Sequence, residues 1–125
     1  LDKEELFKKI VQETKEHISK NYIHDITLNE IAGKYYITSS YLSKIFKEVT
    51  GTTFRKYLYG YRINQAKILL LSGKFKTMEQ VSSRTGFKDV CYFYRVFNKI
   101  EGVTPTYYIV EHTEAGQYDI KYSGH

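Results

Sequence analysis

Residues 91–105, CYFYRVFNKIEGVTP, hold the only cysteine and the only proline of the chain. Cys91 stands three residues after Lys88 and four before Arg95. A thiolate in basic surroundings near a helix start can have a lowered pKa and act as a nucleophile or a redox sensor. Catalysis would also need a base, and no histidine is close in sequence: His17 and His24 come early, His112 and His125 late. One cysteine builds neither a disulfide nor a multi-thiolate zinc site, and the four histidines lack metal-ligand spacing. No metal and no cofactor is therefore expected. Cys91 reads as a small outward side chain, and the stronger chemistry belongs to the cations around it.

Those cations follow a pattern. Residues 1–33 carry five Lys against seven acids, and residues 100–125 one Lys against four acids. Between them, residues 34–99 carry thirteen Lys and Arg against only Glu48, Glu79 and Asp89, a local excess of +10. A basic middle between mildly acidic ends points to a polyanionic partner. The 125 residues are 42% hydrophobic and 26% charged, enough to bury a core and unlike a disordered tail. No apolar run approaches the roughly 20 residues of a membrane span and no signal-peptide pattern opens the chain, so no membrane role is expected. The single cysteine suits a reducing, cytoplasmic setting. The chain opens at Leu1 rather than Met, as a piece of a longer protein would.

The elements that position these cations read as helices throughout, an all-α chain of about seven. Leu6, Phe7, Ile10, Val11, Ile18 and Tyr22 share one helical face. Thr27 and Glu30 form a T-x-x-E capping box for a short helix near 27–34. Thr38 and Ser39 start a helix that ends near Gly51, and a longer one runs from about Thr53 to Leu71. Thr77 precedes another short helix, a further one runs from about Asp89 to Gly102, and Pro105 can open a last one through Tyr108 and Ile109.

Part of this repeats. SYLSKIFKEVTGTT (40–53) and CYFYRVFNKIEGVT (91–104) match at an offset of 51, pairing Tyr41 with Tyr92, Lys44 with Arg95, Phe46 with Phe97 and Gly51 with Gly102. Upstream, IAGKYY (31–36) meets VSSRTG (81–86) at an offset of 50, so the second copy has one extra turn residue. Two units, each a short helix, a turn and a longer helix, are joined by one long helix, as in a doubled helix-turn-helix. Ala32 and Ser82 are small where two helices must cross closely. Gly86 gives the second turn a permissive backbone, whereas the first has Tyr36 there, so the first turn is expected to be built differently.

With Leu42, Ile45, Phe46, Phe93, Val96 and Phe97 anchoring the second helix of each unit, Ser39, Ser40, Ser43, Lys44 and Lys47 face outward. So do Val90, Cys91, Tyr94, Arg95 and Asn98. Outward residues near the start of such a helix reach base edges in the major groove. Lys44 and Arg95 can donate to guanine O6 and N7, Ser40 and Ser43 can bond bases or phosphates, and Val90, Cys91 and Tyr94 can touch thymine methyls. Arg55, Lys56, Lys74, Lys76, Arg84 and Lys88, with Lys47 and Asn98, are candidate phosphate contacts. A connecting helix of about 19 residues spans roughly 28 Å. Two reading helices are thus expected about one DNA turn apart, near 34 Å.

FRKYLYGYRINQAKILL (54–70), GFKDVCYFYRVFNK (86–99) and GVTPTYY (102–108), at these distances, closely resemble the DNA-binding module of AraC/XylS-type transcriptional regulators, over about Leu6 to Ile109. The resemblance implies seven helices, two helix-turn-helix units and sequence-specific promoter binding at adjacent major-groove segments. It implies RNA polymerase as a further partner, and a sensor or receiver domain beyond this chain. By motif position, the family's base-reading residues fall on Ser39, Ser40, Ser43, Lys44, Val90, Cys91 and Arg95. The sequence departs from the family in having Ser82 for the usual Ala, Lys44 where Arg is common, and Tyr94 where a small polar residue is typical.

The expected organisation is one DNA-binding domain over 1–110, with helix-turn-helix units at about 27–50 and 77–100 and the linker helix at about 53–71. A C-terminal extension, 111–125, lies outside the family pattern, and the alternation in its QYDIKY would suit a short strand. Two other functions compete: DNA repair or redox chemistry at Cys91, and a protein-interaction module that offers its basic face to an acidic partner.

Overall fold

Seven α-helices and no strand make up residues 2–113, the part of the chain that the computed structural model describes. They are α1 (Lys3–Asn21), α2 (Asn29–Lys34), α3 (Ser39–Thr50), α4 (Phe54–Ser72), α5 (Met78–Arg84), α6 (Val90–Glu101) and α7 (Pro105–His112). The all-α fold expected from the sequence is observed. The strand expected in QYDIKY lies outside the described residues.

Helix starts follow side-chain caps. Asp2, Thr38, Thr77, Asp89 and Thr104 each accept a hydrogen bond from a first-turn N–H, at 2.8–3.1 Å. Each such cap stabilises its helix by about 1 kcal/mol. Helix α2 departs from expectation: the Thr27–Glu30 capping box does not set its start. The helix begins two residues later, behind Leu28, whose N-cap position makes no side-chain hydrogen bond. Leu28 is instead buried with Ile10, Ile31, Ala32 and Leu42, and burying a leucine is worth about 2 kcal/mol, more than a cap.

The described residues divide into two compact units between Tyr61 and Arg62, with α4 running through the division. In the first, α1 buries Ile10, Val11, Thr14 and Ile18. Thr14 satisfies its buried hydroxyl on the Ile10 carbonyl at 2.9 Å. Leu6, expected on this face, sits at its rim and is 37% exposed. Ile45 and Phe46 of α3 pack with Val11, and Phe7, Ile37, Phe54 and Tyr57 close over them. The Phe46 ring meets Phe54 and Tyr57 edge to face at 6.1 and 5.4 Å.

In the second unit, Ile63, Ala66 and Leu70 of α4, Met78 and Val81 of α5, and Phe93 and Phe97 of α6 are fully buried. A file of rings runs Phe87, Phe93, Phe97, Tyr108, His112, with successive centroids 4.0–5.8 Å apart. Val96, expected as an anchor like Ile45, is only half-buried, being the shorter side chain at the edge of this core. Lys67 pairs with Glu101 at 3.2 Å, tying α4 to α6, and the nearly buried Arg62 lies 5.9 Å over the Phe87 ring.

Both turns have the same hydrogen bonds. Tyr35 N–H reaches the Ala32 carbonyl, Tyr36 N–H reaches Gly33, and Ile37 N–H reaches Ala32 at 3.0–3.1 Å. Thr85, Gly86 and Phe87 repeat this onto Ser82, Ser83 and Ser82 at 2.9–3.3 Å. The first turn is therefore not built differently, as Tyr36 adopts the left-handed conformation (φ 57°) that Gly86 (φ 94°) adopts in the second. A left-handed non-glycine residue costs roughly 1–2 kcal/mol. Three turn hydrogen bonds and the burial of Leu42 and Ile45 behind them outweigh it.

Candidate nucleic-acid interface

Helices α3 and α6 are the second helices of the two units, and their outward faces hold the expected reading residues. On α3, the Thr38 cap fixes the first turn, Leu42, Ile45 and Phe46 face the core, and Ser40, Ser43, Lys44 and Lys47 are exposed. Ser39 is half-buried. Ser43, Lys44 and Lys47 come together with Glu48 and Thr53 along one open groove. At the far end, left-handed Gly51 closes the helix with its N–H on the Lys47 carbonyl at 2.8 Å.

On α6, Asp89 Oδ1 accepts the Cys91 N–H at 2.8 Å and so fixes the first turn. Cys91, Arg95 and Asn98 are exposed and Val90 is half-buried. The Arg95 guanidinium sits 5.4 Å from the centre of the Tyr92 ring. Tyr92 is half-buried and packs 6.4 Å from Phe87.

Tyr94 is corrected by the structure: its ring is not outward. It is half-buried beside Phe93, at 6.0 Å, and its hydroxyl is enclosed with no hydrogen-bond partner from the protein. Burial first, then the nearby Glu79 and Cys91 charges, push its phenol up to about 12. Helical spacing alone could not show this. The ring packs beside Phe93 with its hydroxyl enclosed, which depends on surroundings that the spacing of α6 does not include.

The expected phosphate contacts are spread over both units. Arg55 and Lys56 are exposed in the first turn of α4, where Thr53 Oγ1 accepts the Lys56 N–H at 3.1 Å and Arg55 lies 5.0 Å from the Tyr59 ring. Lys74 and Lys76 are exposed between α4 and α5, and Arg84 donates to the Lys74 carbonyl at 2.9 Å, joining those two. Lys88, the extra residue of the second turn, is exposed.

Some cations of the basic middle are engaged within the fold. Besides Arg62 and Lys67, Lys34 pairs with Glu13 at 3.1 Å, and Tyr35 donates to the same carboxylate at 3.0 Å. The Lys34 hydrogen bond, more than that of Tyr35, holds Glu13 below the usual carboxylate range against the opposing effect of burial. Sequence reasoning missed this tie between α1 and the first turn, because its partners are 21 and 22 residues apart. Among the described residues no group of His, Cys, Asp and Glu could hold a metal ion.

A family model described as a helix-turn-helix domain matches residues 31–109, the span holding both turns and both outward faces. The chain belongs to the AraC family of transcriptional regulators. Its two helix-turn-helix units are an AraC-type, sequence-specific DNA-binding domain, and not a catalytic one. An HTH-type transcriptional regulator of Bacillus subtilis, YtdP, is 34% identical over 100 residues, covering 74% of this chain and 13% of that protein. The melibiose operon regulatory protein of Escherichia coli K12 is 31% identical over 91 residues, covering 73% of this chain and 30% of that protein. The chain thus spans well under half of these AraC-family relatives. Among solved structures, the C-terminal domain of the response regulator yesN from Fusobacterium nucleatum superposes with a TM-score of 0.71 at 33% identity, covering 78% of this chain and 95% of that one.

Proposed function

We propose that this chain is the promoter-reading part of a larger cytoplasmic regulator and places α3 and α6 in adjacent major-groove segments of one duplex. Lys44 and Arg95 donate to guanine edges. Ser39, Ser40 and Ser43 contact bases or phosphates, and Val90 and Cys91 touch thymine methyls. Lys47, Arg55, Lys56, Lys74, Lys76, Arg84, Lys88 and Asn98 meet phosphates and set the register without specifying sequence. A sensor or receiver domain on the rest of the protein controls this reading, and RNA polymerase is its downstream partner.

The observation behind this reading is the duplicated one: two capped helices, each with an exposed cation at the same register, Lys44 and Arg95. Selecting duplexes from a random pool with the whole chain tests it. The selected site should span two major-groove segments. Arg95→Ala should relax one base preference by about 1–3 kcal/mol, whereas Lys88→Ala should weaken all duplexes alike and lower the salt dependence. Equal affinity for selected and scrambled duplexes at physiological salt would overturn sequence-specific reading.

A further inference from the structure

Helices α3 and α6 carry a tyrosine three residues before their reading cation, and the two rings do different things. In α3, Tyr41 is 41% exposed and its ring meets Phe7 of α1 edge-on at 6.2 Å. No ring lies under Lys44 among the described residues. In α6, Tyr92 is half-buried, is held against Phe87, and carries the Arg95 guanidinium at 5.4 Å. Phe87 is itself buried and has Arg62 over its ring. The support under Arg95 therefore continues into the core of the second unit.

This difference bears on how each cation can read a base. A guanidinium is a planar fork that stacks on aromatic rings and matches two acceptors at once, whereas an ammonium is a point charge on a flexible stem. Discrimination between base pairs comes from the two-point match to guanine O6 and N7. A fork already held by a ring loses less freedom when it makes that match than a free chain does.

We propose that Tyr92 is a positioning residue, whose ring holds the Arg95 guanidinium ready for a two-point base contact, so that α6 carries more of the base discrimination than α3. This rests on the reading that Arg95 meets a base. The test uses the whole chain and the duplex that it selects from a random pool. The base pair read by Arg95 is the one at which Arg95→Ala loses its preference. At that pair, the ratio of affinities for preferred and substituted duplexes is measured at fixed salt for each variant.

Tyr92→Phe keeps the ring and should keep the ratio within about twofold. Tyr92→Leu removes the ring and should shrink the ratio about two- to fivefold, while affinity for a scrambled duplex is unchanged. In the Arg95→Ala background, Tyr92→Leu should change the ratio no further. Lys44→Ala should lower discrimination at its own base pair by a smaller factor than Arg95→Ala does at its own. If Tyr92→Leu preserves the ratio, or weakens selected and scrambled duplexes alike, the ring does not position Arg95. Loss of the ratio in Tyr92→Phe would assign the effect to the phenol instead and overturn ring support. An equal or larger effect of Lys44→Ala would overturn the unequal division. If Arg95→Ala leaves every base preference intact, the reading of Arg95 fails, and the proposal with it.

Discussion

The two helix-turn-helix units reach one backbone geometry from different residues. The second has Gly86 in the left-handed turn position, and the first has Tyr36 there, 97% exposed. The second has Ser82 at the helix crossing, donating to the Phe87 carbonyl at 3.2 Å, while Ala32 in the first has no side-chain polar group to add. The first ties its turn to α1 through Glu13, Lys34 and Tyr35, whereas Arg84, the counterpart of Lys34, donates to a backbone carbonyl. The frame is thus set by what the turn must do, namely point a capped helix outward from a closed core. Different local chemistry supports it in each copy.

The comparison can be broken first at its shared core. Phe46 and Phe97 hold equivalent buried positions. Phe46→Ala and Phe97→Ala should each destabilise by about 3–5 kcal/mol, read by denaturant melts. One position one residue earlier sharpens the contrast. Ile45→Ala should cost more than Val96→Ala, because Ile45 is buried and Val96 only half so.

The turns come next. Gly86→Ala should destabilise by about 1–2 kcal/mol, because it places a Cβ in the left-handed region. Tyr36→Gly should stabilise by about 1 kcal/mol or less, since relief of strain is partly offset by the entropy of the freer unfolded glycine. Thermal melts of the two variants decide. A destabilised Tyr36→Gly would show that the Tyr36 side chain contributes more than its strain costs.

The smallest expected effect separates the units by acid. Glu13 has a folded pKa held below its ordinary value of about 4.3. Its tie is therefore fully formed above that value and is lost as pH falls through the folded one. Protection factors of the α2 amides, with the intrinsic pH dependence of exchange divided out, should fall at low pH. Glu13→Gln should flatten that dependence in α2 and leave the amides of α5 unaffected.

Much of this frame was legible in the sequence. Caps at Thr38, Thr77, Asp89 and Thr104 act within a few residues, so they mark helix starts without knowledge of the rest of the fold. The offsets of 51 and 50 gave the doubled unit and its one extra turn residue, which the turn hydrogen bonds and caps of the structure place at Lys88. The errors arose where another element decides. Leu28 set the start of α2 through its burial, against the local signal of Thr27 and Glu30. Tyr94 packed beside Phe93 with its hydroxyl enclosed, and Val96 fell at a core edge that helical periodicity does not mark. Tyr36 was expected to need a different turn. The observed turn keeps Leu42 and Ile45 buried, and that burial outweighs the strain of a left-handed Tyr36. The pairing of Arg95 with Tyr92 had a local signal, an aromatic three residues before a cation, but Tyr41 and Lys44 carry the same signal without the stack.

The caps of the two reading helices differ in one further respect. α3 opens on a neutral threonine, α6 on the carboxylate of Asp89. Every duplex presents the same phosphate charge, so on the proposed reading a carboxylate at the start of α6 opposes all sequences equally. Such a uniform penalty cancels from the ratio between right and wrong sites. It should lower the affinity of the second unit for any duplex and leave its selectivity unchanged, so Asp89→Asn should tighten selected and scrambled duplexes alike.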